Sequence, residues 1–587
     1  MPDTAVKPSI LRVVVGRLLG QSKKPTTNPR DSFREGLETV VFVVVLVFLL
    51  KQFVVEAFVI PTGSMAETLY GYRKALTCQE CGYEFQLNAS CEVDPSDGHL
   101  RKVQGYCCPN CRNKQAFSPV SKIPYTSSFW DKVFGPGNAS GDRVLVHKAL
   151  FHKFAAVPGD VVVFKYPKQP QKDYSAQNYI KRMWAIGGQT LAIWRGDLYR
   201  CESLKYGEDI VDDQNEKLYP RPENSNDLWE LRYTYHNNDA ARRVFEASKA
   251  AGFPDDGDGF KLIRKSDTLI NEMTRIVYDN DFQNTAIQSR GVPPRWKAEA
   301  SDWTPDDAGK VFTHSGSGLG WLRYRHLQVE DQRGSGRLNF TPGVVDNFLG
   351  YNGETGLDPQ GNYYSVLNAG GADDQKYWVG DLVLDCSANV TDATAEVVME
   401  LSKGPNRFQA KFKDGNVTLH RTGPGGKDMA TAKSGISTGN YALRFANIDC
   451  RLHVWVNGKA IAFGKDADYA PSVPDTFDPL DEKEEGWTRA NDIEAPVSVG
   501  ATGGVTVSKL KIGRDTYYIH ANESYRFARH ISSTVDTYYA QPGHYVCLGD
   551  NSAQSSDSRV WGTVPERLLL GKAMFIFFPL ERIGFIK

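Results

Sequence analysis

An apolar run that stops at a Pro/Gly turn limits what this chain can become. Val40 to Leu50 is uninterrupted, Lys51 and Gln52 break the run, and Phe53-Val54-Val55 resumes it, which makes Leu37–Val55 the membrane candidate of the sequence. Spanning a bilayer takes about 20 apolar residues, and the flexible stem of a lysine near one end lets its charge reach the interface. A single transmembrane helix over 37–56 is therefore expected, with a helix buried in a soluble core as the alternative. Upstream, Lys7, Arg12, Arg17, Lys23, Lys24, Arg30 and Arg34 outnumber Asp3 and Asp31. The positive-inside rule then keeps 1–36 in the cytoplasm and puts everything after Val55 on the far side of the membrane. Residues 9–20 read either as a helix on the inner leaflet or as a tail.

Immediately after the run comes Phe58-Val59-Ile60-Pro61-Thr62-Gly63-Ser64-Met65-Ala66-Glu67-Thr68-Leu69. A nucleophilic serine needs its hydroxyl presented by a tight backbone, and Gly63 permits angles and close approaches that a side chain forbids. Taken alone this is ordinary turn chemistry. A second segment, Tyr179-Ile180-Lys181-Arg182-Met183-Trp184-Ala185-Ile186, has the composition of a strand, in which Lys181 and Arg182 face opposite sides. A lysine acts as a general base only when neutral, and burial among apolar groups such as Ile180, Met183, Trp184 and Ile186 is what lowers its pKa. A third, the polar loop Gly549–Gly562 between His544–Leu548 and Val564-Pro565, carries short side chains able to orient a lysine.

Together with Gly141-Asp142-Arg143-Val144-Leu145-Val146-His147-Lys148 and Pro158-Gly159-Asp160-Val161-Val162-Val163-Phe164-Lys165-Tyr166-Pro167, these blocks resemble type I signal peptidases. Those are membrane-anchored serine/lysine endopeptidases. The resemblance covers roughly 37–76, 139–200 and 541–587 and implies a mainly β catalytic core. It implies Ser64 as nucleophile, Lys181 as general base, Thr62 as an oxyanion-hole donor beside the Ser64 N–H, and Ser555 as the hydroxyl that orients the lysine. Asp550 with Arg182, and Asp557 with Arg559, are implied as bracing ion pairs. The implied substrates are exported precursors with small residues one and three positions before the cut. Phe58–Ile60 and Val161–Phe164 are the expected walls of the pockets for them. Glu67 stands where the family carries a proline, and Ala185-Ile186-Gly187-Gly188-Gln189 replaces its Gly-Leu-Pro-Gly-Asp. Both departures bear on loop geometry and leave the catalytic atoms in place.

Cys78-Gln79-Glu80-Cys81 and Cys108-Pro109-Asn110-Cys111 flank a stretch with Cys91 and Cys107. Two Cys-x-x-Cys turns reach one tetrahedral ion, so a zinc-ribbon-like module with Cys78, Cys81, Cys108 and Cys111 as ligands is expected. Outside the cytoplasm disulfides are the standing alternative. No cofactor is expected for catalysis.

Between about 200 and 540 lies a large insert. Its first part, 201–365, is mixed and charged. Its second, 366–520, holds alternating runs such as Glu396–Leu401, Arg407–Phe412 and Leu452–Lys459 with an Asn457-Gly458 hairpin signal. A β-sandwich similar to concanavalin-like and laminin-G-like folds is expected there. Its ligand is open between a glycan, a protein and none, and Trp455 reads as core. The acidic stretch 475–494 reads as a solvated loop, with calcium as the alternative. A net charge of −1 argues against a nucleic-acid partner.

The expected layout is thus a cytoplasmic segment 1–36, a membrane helix 37–56 and a core in three pieces, 57–76, 116–200 and 521–587. The cysteine module takes 77–115. The expected activity is signal-peptide removal on the extracytoplasmic side of the inner membrane, with the bilayer as a partner. The alternative is a non-catalytic tethered binding protein acting through the sandwich.

Overall fold

The computed structural model describes residues 29–94, 100–116, 140–148, 157–167, 177–204, 239–300, 302–332, 337–357, 363–365, 377–423, 426–471, 488–519 and 535–586. The expectations for residues 1–28, and for most of the acidic stretch 475–494, lie outside them. The chain divides into two units, Met1–Glu56 and Ala57–Lys587.

The first unit carries a helix, Pro29–Phe53. Its N-terminal turns hold Arg30, Asp31, Arg34, Glu35 and Glu38, with Arg34 paired to Glu38 at 2.8 Å. The expected membrane span is corrected here: among the described residues no helix is long and apolar enough to cross a membrane. The physical reason is length, because eleven residues from Val40 to Leu50 rise about 16 Å at 1.5 Å each, against about 30 Å of bilayer hydrocarbon. Phe53 ends the helix, and the strand Val55–Val59 takes the rest of the run. From Val40 to Leu49 every side chain is 40–67% exposed.

The second unit is mainly β. Its catalytic sheet runs in the order Val55–Val59, Arg143–His147, Leu569–Phe578, Val161–Lys165, Asn178–Ile186, His544–Leu548 and Val564–Pro565. The first and last thirds of the sequence therefore interleave strand by strand. A smaller sheet orders Lys261–Leu262, Asp197–Cys201, Thr190–Trp194 and Asp536–Tyr539.

The large insert is a two-sheet sandwich. One sheet centres on Leu382–Val390 between Val505–Arg514 and Gly439–Ile448, the other on Glu396–Lys403 between Val497–Thr502 and Asn406–Lys413. Its strands begin at Arg275–Asp279, well ahead of residue 366, since Trp296–Ala298, Trp303–Pro305, Phe312–His314 and Gly320–Tyr324 all join the two sheets. Asn457 and Gly458 take φ of 51° and 76° in the turn that pairs Val456 with Lys459, as a two-residue hairpin demands. Trp455 is 4% exposed and packs on Ile270, Val383 and Ile448. The sandwich core, with Leu384, Phe408, Phe445 and Val499, is continuous with Trp194, Tyr199 and Phe245 beside the smaller sheet. The insert and the smaller sheet thus share one buried apolar body.

Gly141 sits where the chain re-enters the catalytic sheet, and a β-carbon there would overlap the carbonyl oxygen of Ile60. Gly141→Ala is expected to cost about 1–3 kcal/mol, read as a lower urea midpoint at unchanged slope.

Candidate active site

Lys181 lies on a central strand, opposite Val162, while Arg182 faces Val161 on one side and Leu548 on the other. Strand alternation sends the two cations to opposite faces of the sheet. Residues 60–72 fold back on themselves. Ile60 N–H donates to Asp142 O at 2.9 Å, Ala66 N–H to Gly63 O at 3.0 Å and Leu69 N–H to Met65 O at 2.8 Å. Met65, Ala66 and Leu69 are fully buried, which anchors the turn from inside and leaves the Ser64 hydroxyl turned to Lys181.

Lys181 Nζ is 2.6 Å from Ser64 Oγ. The lysine is 2% exposed and the serine 8%. Burial lowers the Lys181 pKa to about 8, with the Arg559 charge adding to the shift and Asp557, Cys547 and Asp550 opposing it. Its ammonium also donates to the Ile180 carbonyl at 2.9 Å and lies 5.5 Å from the centre of the Tyr179 ring.

The two expected ion pairs flank this contact. Arg182 grips both oxygens of Asp550, at 2.7 Å for Nη2–Oδ2, and its Nη1 donates to Gly159 O at 2.7 Å. Thr68 Oγ1 also donates to Asp550, at 2.7 Å. Arg559 binds Asp557 at 2.7 and 2.8 Å and clamps Ser552 through Oγ and O. Asp557 caps the short helix Ser558–Trp561 and accepts the Gly549 N–H at 2.9 Å. Burial pushes both carboxyls up, and the paired guanidinium overrides it, holding each below its ordinary range.

Ser555 packs against Gly549 and its hydroxyl faces Asp557, while the hydrogen bonds of Lys181 run to Ser64 Oγ and to the Ile180 carbonyl. Thr62 is half-buried two residues before Ser64. Val161–Phe164 are 2% exposed or less, because both faces of their strand are covered, so they back the site without lining an open pocket. Val59, by contrast, is 50% exposed.

Asn551, inside the polar loop Gly549–Gly562, has a role that the sequence does not single out. Its N–H donates to Ser64 O at 3.1 Å and its Nδ2 to Gly63 O at 3.0 Å. A β-carbon on Gly549 would overlap Ser555 Oγ and press on Ser64 O, so glycine is what lets this loop approach the turn. The only sequence signal was the density of Asn, Asp, Gly and Ser in the loop.

The four cysteines also meet. Cys78 and Cys111 sulfurs are 3.7 Å apart, as are those of Cys81 and Cys108, and all four lie within 4.8 Å of one another. A disulfide needs about 2.05 Å, whereas a tetrahedral ion with bonds of about 2.3 Å sets sulfurs about 3.8 Å apart. Each Cys-x-x-Cys turn closes alike, with Gly82 N–H on Cys78 O at 2.8 Å and Arg112 N–H on Cys108 O at 3.0 Å. The geometry and the donor set fit a structural metal, and Cys91 and Cys107 are buried outside this set of four.

A model of the family described as signal peptidase, peptidase S26, matches residues 134–249 and 454–578. The core is S26-like. The matched segments contain Lys181, Arg182, Asp550, Asn551, Asp557 and Arg559, and the match begins after Ser64. Among curated proteins, a signal peptidase I of Buchnera aphidicola from Schizaphis graminum is 33% identical over 95 residues, 13% of this chain and 30% of that protein. A probable signal peptidase I-2 of Synechocystis is 48% identical over 42 residues, 7% of this chain and 19% of its own length. A signal peptidase I of Haemophilus influenzae is 48% identical over 40 residues, 7% and 12%. The similarity thus spans less than a third of these relatives. Such matches are those of a serine endopeptidase core. Among solved structures, a carbohydrate-binding module of Bacillus subtilis is 10% identical, with a TM-score of 0.21 over 37% of this chain and 94% of that one. The receptor-binding domain of botulinum neurotoxin D scores 0.20 at 8% identity, over 38% and 44%. Scores of this size carry no argument.

The Arg182–Asp550 pair is wholly buried. Arg182→Met leaves an unpaired buried carboxylate and is expected to cost about 3–5 kcal/mol in urea denaturation. Adding Asp550→Leu should recover more than half of that loss; strictly additive losses would show that the pair is not what braces the strand.

Proposed function

We propose that this protein is a signal peptidase I-like endopeptidase acting through a Ser64–Lys181 dyad. The observation that carries the reading is the 2.6 Å contact between a buried lysine and a serine hydroxyl on a clamped turn. In its neutral form Lys181 accepts the Ser64 proton as Oγ attacks the scissile carbonyl carbon. The resulting ammonium returns that proton to the leaving amine, which gives an acyl-enzyme on Ser64 and a free amine product. Water then attacks the acyl carbon and loses a proton to Lys181, which returns it to Ser64 Oγ as the acyl–Oγ bond breaks and the acid leaves. Thr62 and the Ser64 N–H are the proposed donors to the oxyanion, and Asp550, Arg182, Asp557 and Arg559 keep the two loops in place. Ser555 is the proposed hydroxyl that orients Lys181.

The proposed substrates are exported precursors cut after small residues. The exposed apolar side chains from Val40 to Leu49 support association of the helix with a bilayer, which places the enzyme at the membrane. The proposed ion at Cys78, Cys81, Cys108 and Cys111 is zinc in a structural role, holding the two turns together and taking no part in proton transfer.

Ser64→Ala and Lys181→Ala are each expected to lower kcat on an Ala-x-Ala precursor by about a thousandfold or more, with folding intact by circular dichroism. Thr62→Val is expected to cost about a hundredfold. Because the neutral amine is the reactive form, kcat/KM should climb with pH and level off above a midpoint near 8. A profile flat from pH 6 to 9 would contradict the dyad. Elemental analysis of the purified protein should find about one zinc per chain, and none with every thiol oxidised would favour disulfides.

A further inference from the structure

One short segment joins the four-cysteine module to the nucleophile turn, and it comes from neither part of the S26-like core. It runs from Leu349 to Leu357. On one side it is held by the module. Gly350 packs so closely on Pro109, inside the second Cys-x-x-Cys turn, that a β-carbon would come within 2.6 Å of that ring. Cys107 N–H donates to Gly353 O at 2.8 Å, and Glu354–Leu357 pairs antiparallel with Gly105–Cys107.

On its other side the same segment grips the active site. The Tyr351 ring, fully buried, occupies the space where a side chain on Gly63 would go, and its hydroxyl donates to Tyr72 O at 3.2 Å. Leu349 and Tyr351 form one apolar cluster with Ala66 and Tyr70. Asn352 and Asn551 exchange two hydrogen bonds of 2.7 Å, Nδ2 of each to Oδ1 of the other. An amide has one acceptor face and one donor face. The Gly63 carbonyl can only accept, so it fixes which way Asn551 points, and the reciprocal pair ties that orientation to Asn352 and holds both amides in place. Rotated the other way, Asn551 would set an oxygen against that carbonyl.

We propose that Tyr351 and Asn352 are positioning residues for Ser64, and that the metal-bound four-cysteine module sets them. Asn352 acts through Asn551, Tyr351 acts on Gly63, and neither touches the reacting atoms. Metal loss frees the Cys108–Cys111 turn, Pro109 no longer supports Gly350, and the grip on Gly63 and Asn551 relaxes. A displacement of about 1 Å at a nucleophile is enough to cost about a hundredfold in rate. The module thereby makes catalysis depend on metal loading, and on the reduced state of its thiols.

This inference rests on the Ser64–Lys181 reading, so its test includes a readout that needs no activity. In full-length protein, hydrogen–deuterium exchange is compared between the zinc-loaded form, the chelator-stripped form and the stripped form given Zn2+ alone. Faster exchange on stripping at both 349–357 and 62–66, reversed by Zn2+, is expected. Faster exchange confined to 78–111 overturns the coupling. In kinetics, Asn352→Ala and Tyr351→Ala should lower kcat about ten- to a hundredfold, with KM within about twofold and the pH midpoint unchanged. Tyr351→Phe, which keeps the ring on Gly63, should retain most of the activity. Wild-type kcat in a folded Asn352→Ala protein overturns the positioning role. Should the alanine variants fail to fold, the exchange comparison on wild type and the Tyr351→Phe rate still decide. A wild type that cuts nothing defeats the peptidase reading, while the exchange result still tells whether the module holds the turn.

Discussion

A lysine amine pressed against a serine hydroxyl inside a protein is a constraint before it is a catalyst. Keeping Lys181 at 2% exposure means removing its water, and the same removal is what brings its pKa down to about 8. A site of this kind survives only if its walls hold still. The protein meets that need with charge pairs beneath and beside the amine, Arg182–Asp550 and Arg559–Asp557, each wholly or almost wholly buried. A buried pair adds little net stability over an apolar one, and breaking it is expensive. Their value here is stiffness. Asp557 and Asp550 also oppose the lowering of the lysine pKa, so the shift is a balance in which burial wins.

The second requirement is close approach of chain segments far apart in sequence. Ser64 O, Gly549 and Asn551 meet at distances that only a glycine at 549 allows. The insertions take part in this. The cysteine module lies directly after the turn in sequence, and the segment 349–357 returns from the large insert to pair with it. The sandwich core runs on into the smaller sheet through Trp194, Tyr199 and Phe245. The inserts are thus built into the body that carries the site.

Much of the candidate site was legible only in combination: the turn at Ser64 and the strand at Lys181 are each ordinary alone, and five blocks in one order gave the resemblance that singles them out. The four cysteines needed no such help, since two short repeats have a spacing that matches one ion. Strand alternation sufficed to separate Lys181 from Arg182. What escaped depends on contacts across hundreds of residues. The roles of Asn551, Tyr351 and Asn352 follow from one amide pair and one ring against one glycine, and no spacing within a segment predicts those. The early sandwich strands from Arg275 onward are short, several of them three residues, too brief for alternation to show. The contact of Lys181 with the Ile180 carbonyl had no sequence signal, because any residue supplies a backbone acceptor. The apolar run was read as a span by counting Phe53 to Val55, which the chain spends on leaving the helix.

The central claim is that Lys181 is held near neutrality by its burial beside Ser64. The direct measurement is carbon-13 NMR of protein labelled at lysine Cε, titrated from pH 6 to 11, with Lys181→Met identifying the resonance. One lysine titrating near 8 and missing from the variant is the predicted result. If every lysine titrates at about 10.4, as a solvent-exposed amine does, Lys181 is a cation at neutral pH and the account fails.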